Sequence, residues 1–144
     1  MRRNGLGLPD SSGHQMDRSA LICIARHGET DWNRSGTLQG WIDIPINEQG
    51  RRQAMAMASV LAGESFSSIW SSSLIRASET AEIIAATLRL PCPVFHDGLR
   101  ERCFGAIQGV PKAELAELNP VLLQQLLKRN PAAHFEEGES IDDF

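Results

Sequence analysis

Residues 21–33 read LICIARHGETDWN, and the break inside this stretch decides the fold class. An apolar run, Leu21-Ile22-Cys23-Ile24-Ala25, stops abruptly at Arg26-His27-Gly28. A short continuous apolar run without polar alternation suits a strand covered on both faces of a parallel sheet. In open α/β sheets, ligands bind outside the carboxyl ends of the strands. A cation, an imidazole and a glycine at the end of such a strand are therefore placed where a site belongs.

Strand and helix patterns alternate onward from this point. Residues 35–50, SGTLQGWIDIPINEQG, carry Gly36, Gly40, Pro45 and Gly50 and read as a loop. Asn47 is placed to cap a helix through EQGRRQAMAMASVLAGE, whose Ala54, Met57, Ala58 and Leu61 recur at helical spacing. Residues 67–72, SSIWSS, read as a second strand. LIRASETAEIIAATLRL follows as an amphipathic helix, with Leu74, Ala77, Ala81, Ile84 and Leu88 on one stripe. Pro91 and Pro93 bound its exit into a short strand, VFH. Two more helical runs follow, PKAELAEL with Pro111 in the first turn, and PVLLQQLLKRN. The alternation predicts an α/β fold of three layers, a mainly parallel sheet with helices on both faces.

The totals exclude several classes. A chain of 144 residues, 42% hydrophobic and 22% charged, is long enough for one globular domain. A net charge of −4 argues against nucleic acid as a partner, since phosphate-backbone binding needs a basic face. Any anion site must be local. No apolar segment reaches membrane-spanning length, so no membrane partner is expected. Cys23, Cys92 and Cys103 are an odd number at no metal-like spacing and read as reduced thiols of a cytoplasmic protein, with Cys23 a small core hydrophobe. Residues 1–19 are rich in Gly, Ser, Asp and Arg, and read as a disordered tail ahead of a domain over 20–144. That start has two arginines but no apolar core, so it is not a secretory signal, and Met16 is an alternative start. Neither a metal nor a cofactor is expected.

The polar residues of the loops converge. Arg26, His27, Gly28 and Asn33 share the first loop. Arg76 opens the helix after the second strand, and Glu101 lies in a third loop, LRERCFGAIQG. Two arginines, a histidine, an asparagine and a glutamate at one sheet edge are equipment for holding a phosphoryl group. An arginine fork gives two coplanar hydrogen bonds to phosphate oxygens, which lysine cannot match. His96, His14 and His134 have no such company, and Trp32 and Trp41 read as loop anchors.

With these blocks in view, RHGETDWN, LQGWIDIPINEQGRRQA, SSSLIRASETAEII, LRERCFGAIQG and EGESIDDF, the chain resembles the histidine phosphatase superfamily, which includes the cofactor-dependent phosphoglycerate mutases. The resemblance implies that His27 is the nucleophile, passing through a phosphohistidine, and that Glu101 is the general acid. It implies that Arg26, Arg76 and Asn33 grip the phosphoryl oxygens and that Gln39 and Gly40 help line the site. Gly28 lets the backbone approach closely. The substrate is then a small phosphorylated molecule.

Glu101 must carry a proton to act as an acid, yet the flanking Arg100 and Arg102 favour the carboxylate, and a Glu between arginines is also a setting for an ordinary ion pair. Extended backbone would point those flanks away, and burial together with the substrate's own negative charge would favour the protonated form. The resemblance further implies a second histidine, in a His-Gly pair ending a later strand beside the first. No such pair occurs up to Phe144, so the domain is expected to be incomplete at its C-terminal end. Losing one pocket donor costs roughly 100- to 1,000-fold in rate. Three functions stay open: a phosphomonoester phosphatase, favoured by the short span between FGAIQG and EGES; a phosphoglycerate mutase; and a catalytically impaired relative that only binds. Oligomeric state is not legible.

Overall fold

The computed structural model describes residues 22–131 and 133–144. The tail expected over residues 1–19, with His14 and Met16, lies outside the described residues, as does Leu21.

Among the described residues, five α-helices and two strands follow the first loop. They are α1 (Asp31–Ser35), α2 (Glu48–Leu61), β1 (Trp70–Ser71), α3 (Ile75–Leu88), β2 (Val94–Phe95), α4 (Lys112–Leu118) and α5 (Pro120–Leu127). β1 and β2 pair in parallel, Trp70 against Val94 and Ser71 against Phe95. Parallel neighbours need a crossover, and α3 supplies it. The βαβ unit is therefore the scaffold of the molecule.

α2 and α3 are the paired helices, and small residues let them approach. α2 buries Gly50, Ala54 and Ala58, while α3 buries Ala81, Ile84 and Ala85. The expected caps are present where side-chain chemistry dictates them. Asn47 accepts from the Gly50 amide at 2.9 Å. α3 has no side-chain cap of its own. Its first amide is served from outside, Ile75 N donating to Asp43 Oδ1 at 2.6 Å. Glu79 of α3 accepts from Ile46 N at 3.0 Å and pairs with Arg51 of α2 at 3.2 Å.

The first apolar run departs from expectation. Residues 22–27 form no strand, and Ile22 and Ile24 are 78% and 91% exposed. Cys23 is exposed too, so it is not a core residue. Apolar composition makes a segment suited to burial, but a strand exists only where a neighbour completes its ladder. Among the described residues the only ladder is that of β1 with β2.

A second departure is α1, in a stretch whose sequence reads as loop. Thr30 caps it, and Thr30 with Asn33 completes a capping box. The two helical runs expected over residues 111–130 form as α4 and α5, parted at Asn119, whose side chain accepts from Leu122 N at 3.0 Å and starts the second helix. α4 buries Leu115, whereas α5 buries none of its residues. The 36–42 loop is stitched to residues 108–112: Leu38 N donates to Val110 O at 3.1 Å and Gly109 N to Leu38 O at 2.8 Å.

Candidate active site

Gly28 is the pivot of the site. A Cβ there would lie 2.5 Å from the Gly50 carbonyl oxygen and 2.8 Å from two further Gly50 backbone atoms. Only two glycines allow the His27 loop to rest on the first turn of α2. The loop is then held by three bonds. Gly28 N donates to Thr80 Oγ1 of α3 at 2.9 Å, Glu29 N to Gln53 Oε1 of α2 at 2.8 Å, and Asn47 N to Glu29 O at 2.8 Å. Both helices of the pair thus grip the same turn.

His27 is oriented by its own neighbour. Its Nδ1 lies 2.7 Å from the Gly28 carbonyl oxygen. A carbonyl can only accept, so Nδ1 carries the proton, and in the neutral ring Nε2 holds the lone pair. Burial pushes the pKa below its ordinary 6.5, the positive fields of Arg76 and Arg26 push the same way, and the bond to Gly28 opposes them. The ring is thereby favoured in its neutral form.

Arg76 is 1% exposed, deep in the first turn of α3. Its Nη2 donates to Gly40 O at 2.7 Å and its Nη1 to Ile42 O at 3.2 Å. Each terminal nitrogen carries a second N–H, so the guanidinium can be held by the loop and still present donors to an oxyanion. Burial lowers its pKa, and the negative fields of Glu101 and Asp43 oppose that. Arg76 is thus an electrostatic neighbour of both His27 and Glu101. Arg26 is exposed and acts on His27 through its charge.

The remaining expected residues sit around Thr30, which is fully buried. Its hydroxyl accepts from Asn33 N at 3.0 Å and lies 2.9 Å from Gln39 Oε1 and 3.1 Å from Asn33 Oδ1. A hydroxyl has one proton, and the shorter contact to Gln39 takes it. Asn33 Oδ1 also accepts from Thr30 N at 3.1 Å. With that oxygen used in the cap, the amide NH2 of Asn33 is the part left to donate. Gly40 has φ +54°, and a Cβ there would run into the Gln108 side chain.

Glu101 is exposed, against the burial expected of it. The ordinary ion pair is not formed either: Arg100 pairs with Asp97 at 2.7 Å, and Arg102 is stacked 5.2 Å from the Phe104 ring and 4.8 Å from that of Phe135. His96 has a local role, accepting from Gly98 N at 3.0 Å. Among the described residues no group of three His, Cys, Asp or Glu could hold a metal ion.

Sequence reasoning missed Thr80, Thr30, Gln53 and Asp43. Thr80 had a signal. It lies four residues after Arg76 and so on the same helix face, and a hydroxyl on a buried face needs partners. Thr30 had one in the spacing Thr-x-x-Asn.

The family model of the histidine phosphatase superfamily (branch 1) matches residues 22–144. The chain belongs to that superfamily. It is 42% identical over 99 residues to the "uncharacterized phosphatase PhoE" of Bacillus subtilis, covering 69% of this chain and 51% of that protein. It is 37% identical over 99 residues to the 2,3-bisphosphoglycerate-dependent phosphoglycerate mutase 2 of Gloeobacter violaceus, covering 67% and 45%. The solved mycobacterial glucosyl-3-phosphoglycerate phosphatase, in complex with VO3, superposes with a TM-score of 0.73 at 35% identity, covering 81% of this chain and 55% of that one. The fold of this superfamily member is the phosphoglycerate mutase-like α/β fold, and its relatives are enzymes. The chain spans about half the length of the curated relatives it matches.

Proposed function

We propose that the protein hydrolyses small phosphomonoesters through a phosphohistidine on His27. The observation that carries this reading is the bond from His27 Nδ1 to the Gly28 carbonyl at 2.7 Å, which reserves Nε2 as nucleophile. In the first step Nε2 attacks phosphorus and the bond from phosphorus to the ester oxygen breaks. Glu101 gives its proton to the departing oxygen, so an alcohol leaves rather than an alkoxide. In the second step water attacks the phosphohistidine, the P–N bond breaks, and the Glu101 carboxylate takes the water's proton. Phosphate and neutral His27 are regenerated, and the acid is restored for the next turn.

The remaining roles follow from charge. Arg76 and Arg26 neutralise the phosphoryl oxygens, Asn33 donates its amide, and Gln39 and Gly40 line the site from the 36–42 loop. Phosphoryl transfer is mostly positioning and charge stabilisation, which suits a site built from guanidinium groups and held loops. A cytoplasmic setting, with Cys23, Cys92 and Cys103 free, belongs to the same reading.

Phosphoglycerate mutation is the second reading, favoured by the 37% identity to a mutase. One experiment separates the two. The whole protein is given 3-phosphoglycerate and, separately, a simple phosphomonoester. Hydrolysis predicts inorganic phosphate from the ester, lost in His27→Ala. Isomerisation of 3-phosphoglycerate without phosphate release overturns hydrolysis in favour of mutation.

A further inference from the structure

We infer that Trp41 is a positioning residue for the acid: its indole fixes the Glu101 carbonyl and the Arg100 side chain and so aims Glu101 at the group held by Arg76. This rests on the acid role proposed above for Glu101.

Glu101 has little else to hold it. It lies in a stretch without regular structure, and its side chain is exposed. Among the described residues, its carboxylate makes neither a hydrogen bond nor an ion pair. An acid that must meet one departing oxygen cannot be left to wander, because misplacement by about 1 Å can cost on the order of 100-fold.

Trp41 supplies the fixation from two directions. Its Nε1 donates to the Glu101 carbonyl at 2.7 Å. The guanidinium of Arg100, the preceding residue, lies 5.4 Å over the same ring. Arg100 is itself tied down, by Asp97 at 2.7 Å and by the Ser73 hydroxyl at 3.0 Å. The indole therefore grasps two consecutive residues, one by its edge and one by its face.

The indole is anchored in turn to the phosphoryl-binding cation. Trp41 N donates to Gln108 Oε1 at 2.6 Å, and the carbonyls on either side of Trp41, those of Gly40 and Ile42, accept from Arg76. One tripeptide, Gly40-Trp41-Ile42, thus touches both the buried cation and the backbone of the acid. Any relative shift between Arg76 and Glu101 must break a bond made by this tripeptide. Trp41 is 43% exposed, so its size is not demanded by core packing.

The test exploits leaving groups. Nitrophenolate departs without a proton, whereas an alkoxide does not. In the whole protein containing these residues, kcat/KM is measured for 2-glycerol phosphate and p-nitrophenyl phosphate, and their ratio is taken. Glu101→Gln is the reference. Trp41→Phe keeps a ring and deletes the N–H. The expected result is a fall in the alkyl-to-aryl ratio of about 10- to 100-fold in Trp41→Phe, within the range that acid catalysis supplies. Arg100→Met, which removes the stack, is expected to lower the ratio in the same direction and serves if Trp41→Phe does not fold. A structural role alone lowers both substrates together and leaves the ratio unchanged. An unchanged ratio in Trp41→Phe beside a fallen ratio in Glu101→Gln overturns the inference and spares the acid. An unchanged ratio in Glu101→Gln overturns the acid role, and no turnover by the unsubstituted protein overturns the proposed hydrolysis. In either case the inference falls with the reading it rests on.

Discussion

The Thr80 hydroxyl joins the His27 loop to the Arg76 helix: it accepts from Gly28 N at 2.9 Å and donates to Arg76 O at 2.7 Å. One side chain, 4% exposed, therefore sets the distance between nucleophile and cation. Thr80→Val keeps the shape and removes both bonds. The Gly28 amide is left buried and unpaired, at a cost of about 1–3 kcal/mol. Denaturant unfolding measures that loss, and turnover is expected to fall further than stability alone explains. Thr80→Ser, which keeps the hydroxyl, should recover most of both.

Arg76→Lys is the next expectation. An ammonium is a point charge on a single stem and cannot hold the Gly40 and Ile42 carbonyls together while presenting a planar pair of donors. A carbonyl left without its partner costs about 1–3 kcal/mol. Loss of the fork should lower turnover by roughly 100- to 1,000-fold, the scale of one stabilising donor. Steady-state kinetics with unfolding midpoints checks both.

The glycine contact gives a purely steric expectation. Gly28→Ala places a methyl 2.5 Å from the Gly50 carbonyl oxygen, and the obstacle is backbone that cannot swing aside. Overpacking of this kind costs about 1–3 kcal/mol. A lowered Tm in Gly28→Ala, with Gly36→Ala measured alongside, reads it. Position 36 has φ +73° but open space, so its penalty is conformational only.

The pH dependence follows from His27. Its pKa in the folded protein lies below 6.5, burial being the first cause. Below 6.5 the unfolded chain binds the proton more readily than the folded one, so stability falls as pH drops. His27 thus contributes stability that is present above 6.5 and lost on descent through the folded midpoint. The depressed carboxyls of Asp97 and Asp143, whose ordinary value is 3.8, act only in more acid solution. Unfolding midpoints compared between pH 7.5 and 5.5 should therefore fall more in the native protein than in His27→Gln. Turnover should keep its activity to below pH 6.5 for the same reason.

Much of this is legible in the sequence, and the exceptions are physical. α2 and α3 followed from period and caps, because Ala54, Ala58, Ala81 and Ile84 repeat on helical faces. The site loops followed from residues whose chemistry is rare in combination. The strand expected over residues 21–26 is absent from its described part, residues 22–26, since ladder partners are a tertiary matter that composition cannot supply. α1 escaped because its five residues carry no apolar period, and only the Thr30–Asn33 box marks it. The roles of Thr80 and Trp41 escaped because both act through backbone atoms of other segments, and no pattern in a chain records which distant carbonyl or amide a side chain will meet.

The central claim is that His27 Nε2 forms a bond to phosphorus. Its most direct measurement is rapid acid-free quenching of the whole protein with a 32P-labelled phosphomonoester, followed by peptide mapping. The account predicts transient label on His27, stable to base and labile to acid, and absent from His27→Ala. Turnover without label on His27, or label retained in His27→Ala, contradicts it.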